Sequence, residues 1–219
     1  MNSNPQDSTS VKRYGLAFHT STPELGLAIS NFVDDSRCQV WNLGRSLATD
    51  LHQHLVEFIQ PQTWADLAFI AVAKGPGGFT GTRMCMVTAR TLAQQLDIPV
   101  FAVSTLAAVA CSSSKKSIST QDMALQMPAQ RGQLFGAVYS INKDSGLTEL
   151  FPDTVMTPES WQEKLDSWGN SYQLIEVGSE LGWSVSSVLE LAYLEWQQGS
   201  RPDWSDALPY YGQHPVKGH

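Results

Sequence analysis

The stretch from residue 67 to residue 96 constrains this chain more than any other. Residues 67–73, LAFIAVA, are a continuous apolar run rich in Ile and Val, the pattern of a strand buried on both faces. Four glycines follow within seven residues, at Gly75, Gly77, Gly78 and Gly81. They let the backbone bend sharply and approach a neighbour closely. Residues 81–96 then place apolar side chains at helical steps. A buried strand that turns tightly into a helix points to an α/β layer fold.

The flanking segments extend the pattern. Residues 14–18 and 25–29 read as strands of a hairpin around the polar, Pro-containing stretch 19–24, and 37–43 as a third strand. Residues 46–59 read as a helix on the steps Leu47, Leu51, Leu55, Phe58 and Ile59, ended by Pro61. A short strand at 100–103 and the start of a helix at 104–110 follow. The second half is thinner. It offers paired strands at 122–127 and 134–141, a turn at 142–146 and a short helix at 160–167. A strand at 172–177 and an amphipathic helix at 184–198 lead into an extended, Pro- and aromatic-rich tail. The polar run 112–120, CSSSKKSIST from Cys111 on, is the best boundary. The expected organisation is a disordered lead over 1–13, a first lobe over 14–111, and a smaller second lobe with its tail over 112–219.

Several function classes lose support. A formal net charge of -7 gives no long-range attraction to phosphate backbones, so any RNA contact calls for another protein's basic surface. The three cysteines, Cys38, Cys85 and Cys111, are widely spaced and form no CxxC pair. They fit a reducing cytoplasm better than a disulfide framework or a zinc site. No apolar run approaches the roughly 18 residues of a membrane span, and residues 1–11 lack the apolar core of a signal peptide. His52 and His54 stand two apart on the first helix and point to different faces, so they do not chelate one ion. His214 and His219 lie in the tail. No GxSxG elbow and no Cys–His or Ser–His arrangement suggests a nucleophile.

Two motifs remain. The loop Gly75, Pro76, Gly77, Gly78, Phe79, Thr80, Gly81, Thr82, Arg83 lacks the Lys of a Walker A loop, and Thr80 stands where GxGxxG needs its third glycine. Two readings fit it: a tight strand-to-helix connection capped by Thr80 or Thr82, and an anion cradle at the helix start. His19, Thr20, Ser21 and Thr22 sit on the first hairpin, where hydroxyls serve either the turn itself or a phosphate. The helices also hold more apolar surface than one sheet can cover. Leu51, His54 and Phe58 with Met84, Val87 and Thr91 are the expected surplus stripe, and such a stripe marks an interface or lies under the second lobe.

These segments together resemble one family. The string from Ala73 to Arg83, AKGPGGFTGTR, is very similar to the G-P-G-S-F-T-G-x-R signature of the TsaB (YeaZ) family. Residues 92–106 look like that family's continuation, and residues 16–22, LAFHTST, resemble its opening L-A-I-D-T-S-T. Residues 127–135 occupy the slot of its D-A-R-x-G-E-V-Y, and Pro209, Tyr210 and Tyr211 match its ending in part. The resemblance implies an actin-like (ASKHA) fold of two RNase H-like lobes, the second smaller and degenerate. It implies a non-catalytic subunit that dimerises with a TsaD-type catalytic subunit to make N6-threonylcarbamoyladenosine at position 37 of tRNA. A TsaE-type ATPase would join them, ATP and a divalent metal would sit in the partner subunits, and tRNA would be met only through the complex. The contact would use the helices 46–59 and 81–96, which also serve homodimers. Three departures weaken intrinsic catalysis. His19 replaces the usual Asp, Pro128 and Gln130 stand for Asp and Arg, and Asp50 falls where a helix histidine is common. The rival readings are a nucleotide-binding regulatory protein of the actin-like superfamily and a peptidase-like enzyme, the latter without visible metal ligands.

Overall fold

A computed structural model describes residues 13–115, 121–142 and 146–212. The expected lead up to residue 12, the linker core 116–120, the turn centre 143–145, and both His214 and His219 lie outside the described residues.

The first sheet is built from β1 (Tyr14–His19), β2 (Glu24–Ser30), β3 (Ser36–Asn42), β4 (Leu67–Ala73) and β5 (Val100–Val103). Its order is β3-β2-β1-β4-β5. The β1–β2 and β2–β3 pairs are antiparallel, while β1–β4 and β4–β5 are parallel. Every residue of β4 is buried, because helices cover both sides of it. On one side α1 (Leu47–Phe58) and α2 (Phe79–Leu96) pack on Leu16, Phe18, Ile70 and Val72. On the other, Ala17, Phe69, Ala71 and Phe101 meet Val185, Val188, Leu189 and Ala192 of α5 (Val185–Gln197). The alternation of Ala17 between Leu16 and Phe18 is the period-two signature of a strand with two occupied faces.

The second sheet repeats the plan with one strand fewer. It holds β6 (Asp122–Pro128), β7 (Leu134–Asn142), β8 (Gly146–Met156) and β9 (Tyr172–Glu176) in the order β8-β7-β6-β9. Here too the first two pairs are antiparallel and β6–β9 is parallel. The two lobes are therefore RNase H-like, and the second is the reduced copy. Between the sheets, α3 (Thr105–Ser114) puts Leu106, Val109 and Ala110 against the second, and α4 (Pro158–Asp166) covers its outer face with Trp161 and Leu165. Ser104 caps α3 by accepting from the Ala107 amide at 3.1 Å, and Thr157 caps α4 ahead of Pro158.

Three expectations need correction. Residues 112–114 belong to α3, so that helix runs into the expected linker. The 11-residue strand β8 was not foreseen. And α5, placed by sequence position in the second lobe, packs on the first sheet, where Val185, Val188 and Leu189 each contribute roughly 1.5–3 kcal/mol of burial. The tail binds both lobes. The Tyr210 amide donates to the Lys74 carbonyl at 2.7 Å, and its hydroxyl donates to the Asp153 carbonyl at 2.7 Å.

Candidate functional site: glycine loop and helix groove

The glycine loop is closed down onto the first hairpin. The Gly78 amide donates to the Ser21 carbonyl at 2.7 Å, and the Thr20 hydroxyl donates to the Gly81 carbonyl at 2.9 Å. The Thr105 amide and hydroxyl reach Gly75 O and Ser21 Oγ, each at 2.9 Å. A Cβ on Gly77 would fall on the Ser21 carbonyl, and one on Gly81 on the Thr20 carbonyl. Gly75 and Gly77 take φ of 102° and 157°. Gly78 and Gly81 show no positive φ, so Gly81 is required for space alone. The helix starts at Phe79 with Gly78 as its N-cap, two residues earlier than the sequence suggested, and neither Thr80 nor Thr82 caps it.

The hairpin hydroxyls are thus engaged within the fold: Thr20 donates to the loop, Ser21 accepts from Thr105 of α3, and Thr22 accepts from the Leu181 amide at 3.4 Å. His19 is fully buried, and neither ring nitrogen has a partner. Burial pushes its pKa down to about 4, so the imidazole is neutral. No carboxylate stands among residues 19–23, Glu24 at the start of β2 accepts from the Gly182 amide, and among the described residues no three His, Cys, Asp or Glu side chains come together. The donor set does not fit the magnesium–phosphate group of actin-like ATPases, which needs an acid and free hydroxyls at this turn.

The open surface lies on the far side of α2. A groove of about 670 Å³ runs between α1 and α2. Val56, Phe79 and Val87 line it at 53%, 40% and 62% exposure, with half-buried Met84, Trp64 and Leu92 and exposed Thr91. Met84, Val87 and Thr91 therefore lie where the surplus stripe was expected. Leu51 and Phe58 do not: they are buried in the first core, since the 47, 51, 55, 58 stripe is the side of α1 that meets the sheet. His54 is not in the groove either, its ring lying 4.6 Å from Trp41 of β3. Beyond the glycine-loop residues, the lining residues that sequence reasoning missed are His52, Leu55, Val56, Trp64, Thr88 and Leu92. Val56 carried a signal, as the one apolar residue of α1 outside its core register apart from Ala48.

The comparisons with known proteins fit this geometry. The family model of TsaD, tRNA N6-adenosine threonylcarbamoyltransferase, matches residues 55–181. A tRNA threonylcarbamoyladenosine biosynthesis protein TsaB, from Buchnera aphidicola subsp. Schizaphis graminum, is 36% identical over 148 residues, which span 68% of each chain. The chain belongs to the TsaB (YeaZ) family. The TsaB of Bacillus subtilis is 37% identical over 100 residues, 46% of this chain. The chain spans about half the length of the first curated relatives, 52% of the TsaB of Buchnera aphidicola subsp. Acyrthosiphon pisum and 42% of the Bacillus protein. Among solved structures, a Pseudomonas aeruginosa protein described as similar to peptidase YEAZ superposes with a TM-score of 0.75 at 21% identity. That match covers 91% of this chain and 99% of the other, so the chain has the YeaZ fold over that span.

A second polar cluster of this TsaB-family chain had no sequence signal. The Tyr139 hydroxyl donates to Asp153 Oδ1 at 3.2 Å and lies 3.4 Å from Ser104 Oγ. Burial raises the pKa of Asp153 above the ordinary carboxylate value and that of the Tyr139 phenol above its own. The cluster joins β7, β8 and the start of α3.

Proposed function

We propose that this chain is a non-catalytic subunit of the complex that forms N6-threonylcarbamoyladenosine on tRNA, and that it docks a TsaD-type catalytic subunit through the α1–α2 groove. The single observation that carries the reading is the groove itself: an apolar trough on an acidic chain, flanked by a loop whose Gly75, Gly78 and Gly81 backbone groups are already paired. Two helices docking on two helices of a related lobe make a four-helix contact with crossings near roughly 20°. The partner subunits supply ATP, metal and tRNA binding, a TsaE-type ATPase joins them, and the assembly works in the cytoplasm. A second copy of the chain competes for the same groove.

Large side chains at the centre of such a contact dominate its energy. Val87→Asp or Met84→Asp is therefore expected to abolish co-purification with the TsaD-type subunit of the same cell, while Leu174→Asp, at an exposed position of β9 in the second sheet, leaves it intact. The opposite pattern puts the interface on the second lobe and sinks the reading.

One observation favours a second reading, nucleotide binding. A cleft of about 480 Å³ between the loop and the β6–β7 turn is lined by Gly77, Gly78, Thr82, Arg131 and Tyr211, and the Thr82 hydroxyl is buried without a partner. Titration calorimetry with ADP and ATP separates the two: heat at micromolar nucleotide supports a sensor, and its absence leaves the scaffold.

A further inference from the structure

The groove is unlike the rest of the surface in its charge. The chain carries 21 acidic and 14 basic residues, yet no carboxylate lines the groove, and Arg83 is its one cationic side chain. Arg83 is exposed and makes no ion pair among the described residues. It is nevertheless held in place. Its guanidinium lies 4.9 Å from the Phe79 ring centroid and 5.7 Å from that of Tyr211, and these two rings lie 5.0 Å apart. The tail thus folds back to grip an arginine that makes no ion pair among the described residues.

Helix electrostatics give no folding reason for that placement. Arg83 stands one turn into α2, near the positive end of the helix dipole, where a cation is mildly unfavourable. The Gly78 N-cap has no side chain to accept from the first-turn amides, so positive potential gathers there. A partner that covers the groove strips water from this charge, and an unpaired buried charge is costly. A planar, pre-held guanidinium is also suited to two parallel bonds to a carboxylate, with little rotamer entropy left to lose.

We propose that Arg83 is the polar anchor of the docking groove, taking an Asp or Glu carboxylate that a heterologous partner presents from an otherwise apolar helix face. This rests on the docking reading above and sharpens it to a partner chemistry. A second copy fits less well. In a two-fold contact the groove faces itself, and its own lining offers a guanidinium and no acid. The anchor therefore discriminates the heterodimer from the homodimer.

The test measures the Kd for the TsaD-type subunit by titration calorimetry at low and high salt, and self-association by analytical ultracentrifugation. The variants are Arg83→Gln, Arg83→Lys and Val87→Asp. Expected for Arg83→Gln is a heterodimer weakened by roughly 10–100-fold with a flatter salt dependence, and an unchanged or tighter homodimer. Lys is expected to restore the salt dependence but only part of the affinity. All variants change exposed side chains, and thermal melts check that they fold. If Arg83→Gln binds like wild type while Val87→Asp does not bind, the anchor is wrong and the groove stands. If Val87→Asp also binds like wild type, the docking reading falls and takes the anchor with it. An equal loss of homodimer and heterodimer in Arg83→Gln also overturns the anchor, because the guanidinium then does not discriminate.

Discussion

The two sheets of this protein follow one strand order, yet they end up in different physical states. In the first, β4 is buried along its whole length, and helices from both halves of the chain close both faces. In the second, β9 is mostly exposed, β8 is only partly covered, and the sheet has four strands among the described residues. The difference shows how a duplicated lobe can divide its roles. The first lobe is packed so fully from behind by α5 that its two front helices can leave apolar surface uncovered without losing the sheet. The second lobe spends its few helices on its own core and presents no comparable groove at α4, where Trp161 and Leu165 face inward.

A charge placed in each lobe's cover tests that division most severely. Val188 is fully buried between α5 and the first sheet. Val188→Asp is expected to cost about 4 kcal/mol or more and to expose β1 and β4 amides to hydrogen exchange. Trp161→Ala, which also removes the 2.9 Å bond to Gln126 Oε1, is expected to cost about 3–5 kcal/mol and to loosen β6 and β7 first. Exchange that rises in the second sheet for both variants would break the assignment of α5 to the first lobe.

A second difference concerns pH. His19 is neutral and buried in the first lobe with a pKa of about 4, against about 6.5 in the unfolded chain. Above pH 6.5 both states are neutral and nothing is lost. As pH falls from 6.5 towards 4 the unfolded chain takes the proton first, so stability drops by about 3 kcal/mol. Urea unfolding of wild type and His19→Leu at pH 7 and pH 5 checks this: the variant is expected to lose most of the slope. A slope that survives in His19→Leu belongs to other groups.

The smallest contrast is between two glycines. Gly77→Ala drives a Cβ into the Ser21 carbonyl and is expected to cost about 2–3 kcal/mol. Gly169, in the loop after α4, has open space and no positive φ, so Gly169→Ala is expected to stay within about 0.5 kcal/mol of wild type. Equal midpoints in a melt of the two variants would show that the glycine loop is free to shift.

What the sequence revealed follows the same division. The buried strand at 67–73, the core stripe of α1 and the glycine turn were legible because each rests on a strong local rule. The strand β8 was not, since Pro152 and the acids Glu149 and Asp153 interrupt any alternation. The amphipathic pattern of α5 announces a buried face but not which sheet receives it. On α1 the dominant stripe, with Leu51 and Phe58, belongs to the core, and only the lone Val56 marked the outer surface. Periodicity finds the side of a helix that is most apolar, and on a helix with two neighbours that side is the sheet's. The Arg83, Phe79 and Tyr211 stack needed the tail to return across the fold, which no local pattern records.

The return of α5 also bears on how the chain is made. A ribosome delivers β1 to β5 early, but the helix that seals their rear face is 82 residues beyond the last of them, counting from Val103 to Val185. Until Val185–Gln197 emerges, Ala17, Phe69 and Phe101 have no cover, and a nascent first lobe shows an oily back to water. The second lobe has time to fold as an insertion in the meantime. Synthesis of this protein thus has a late closing step, and nascent chains that stall before residue 185 are the ones that should call on chaperones.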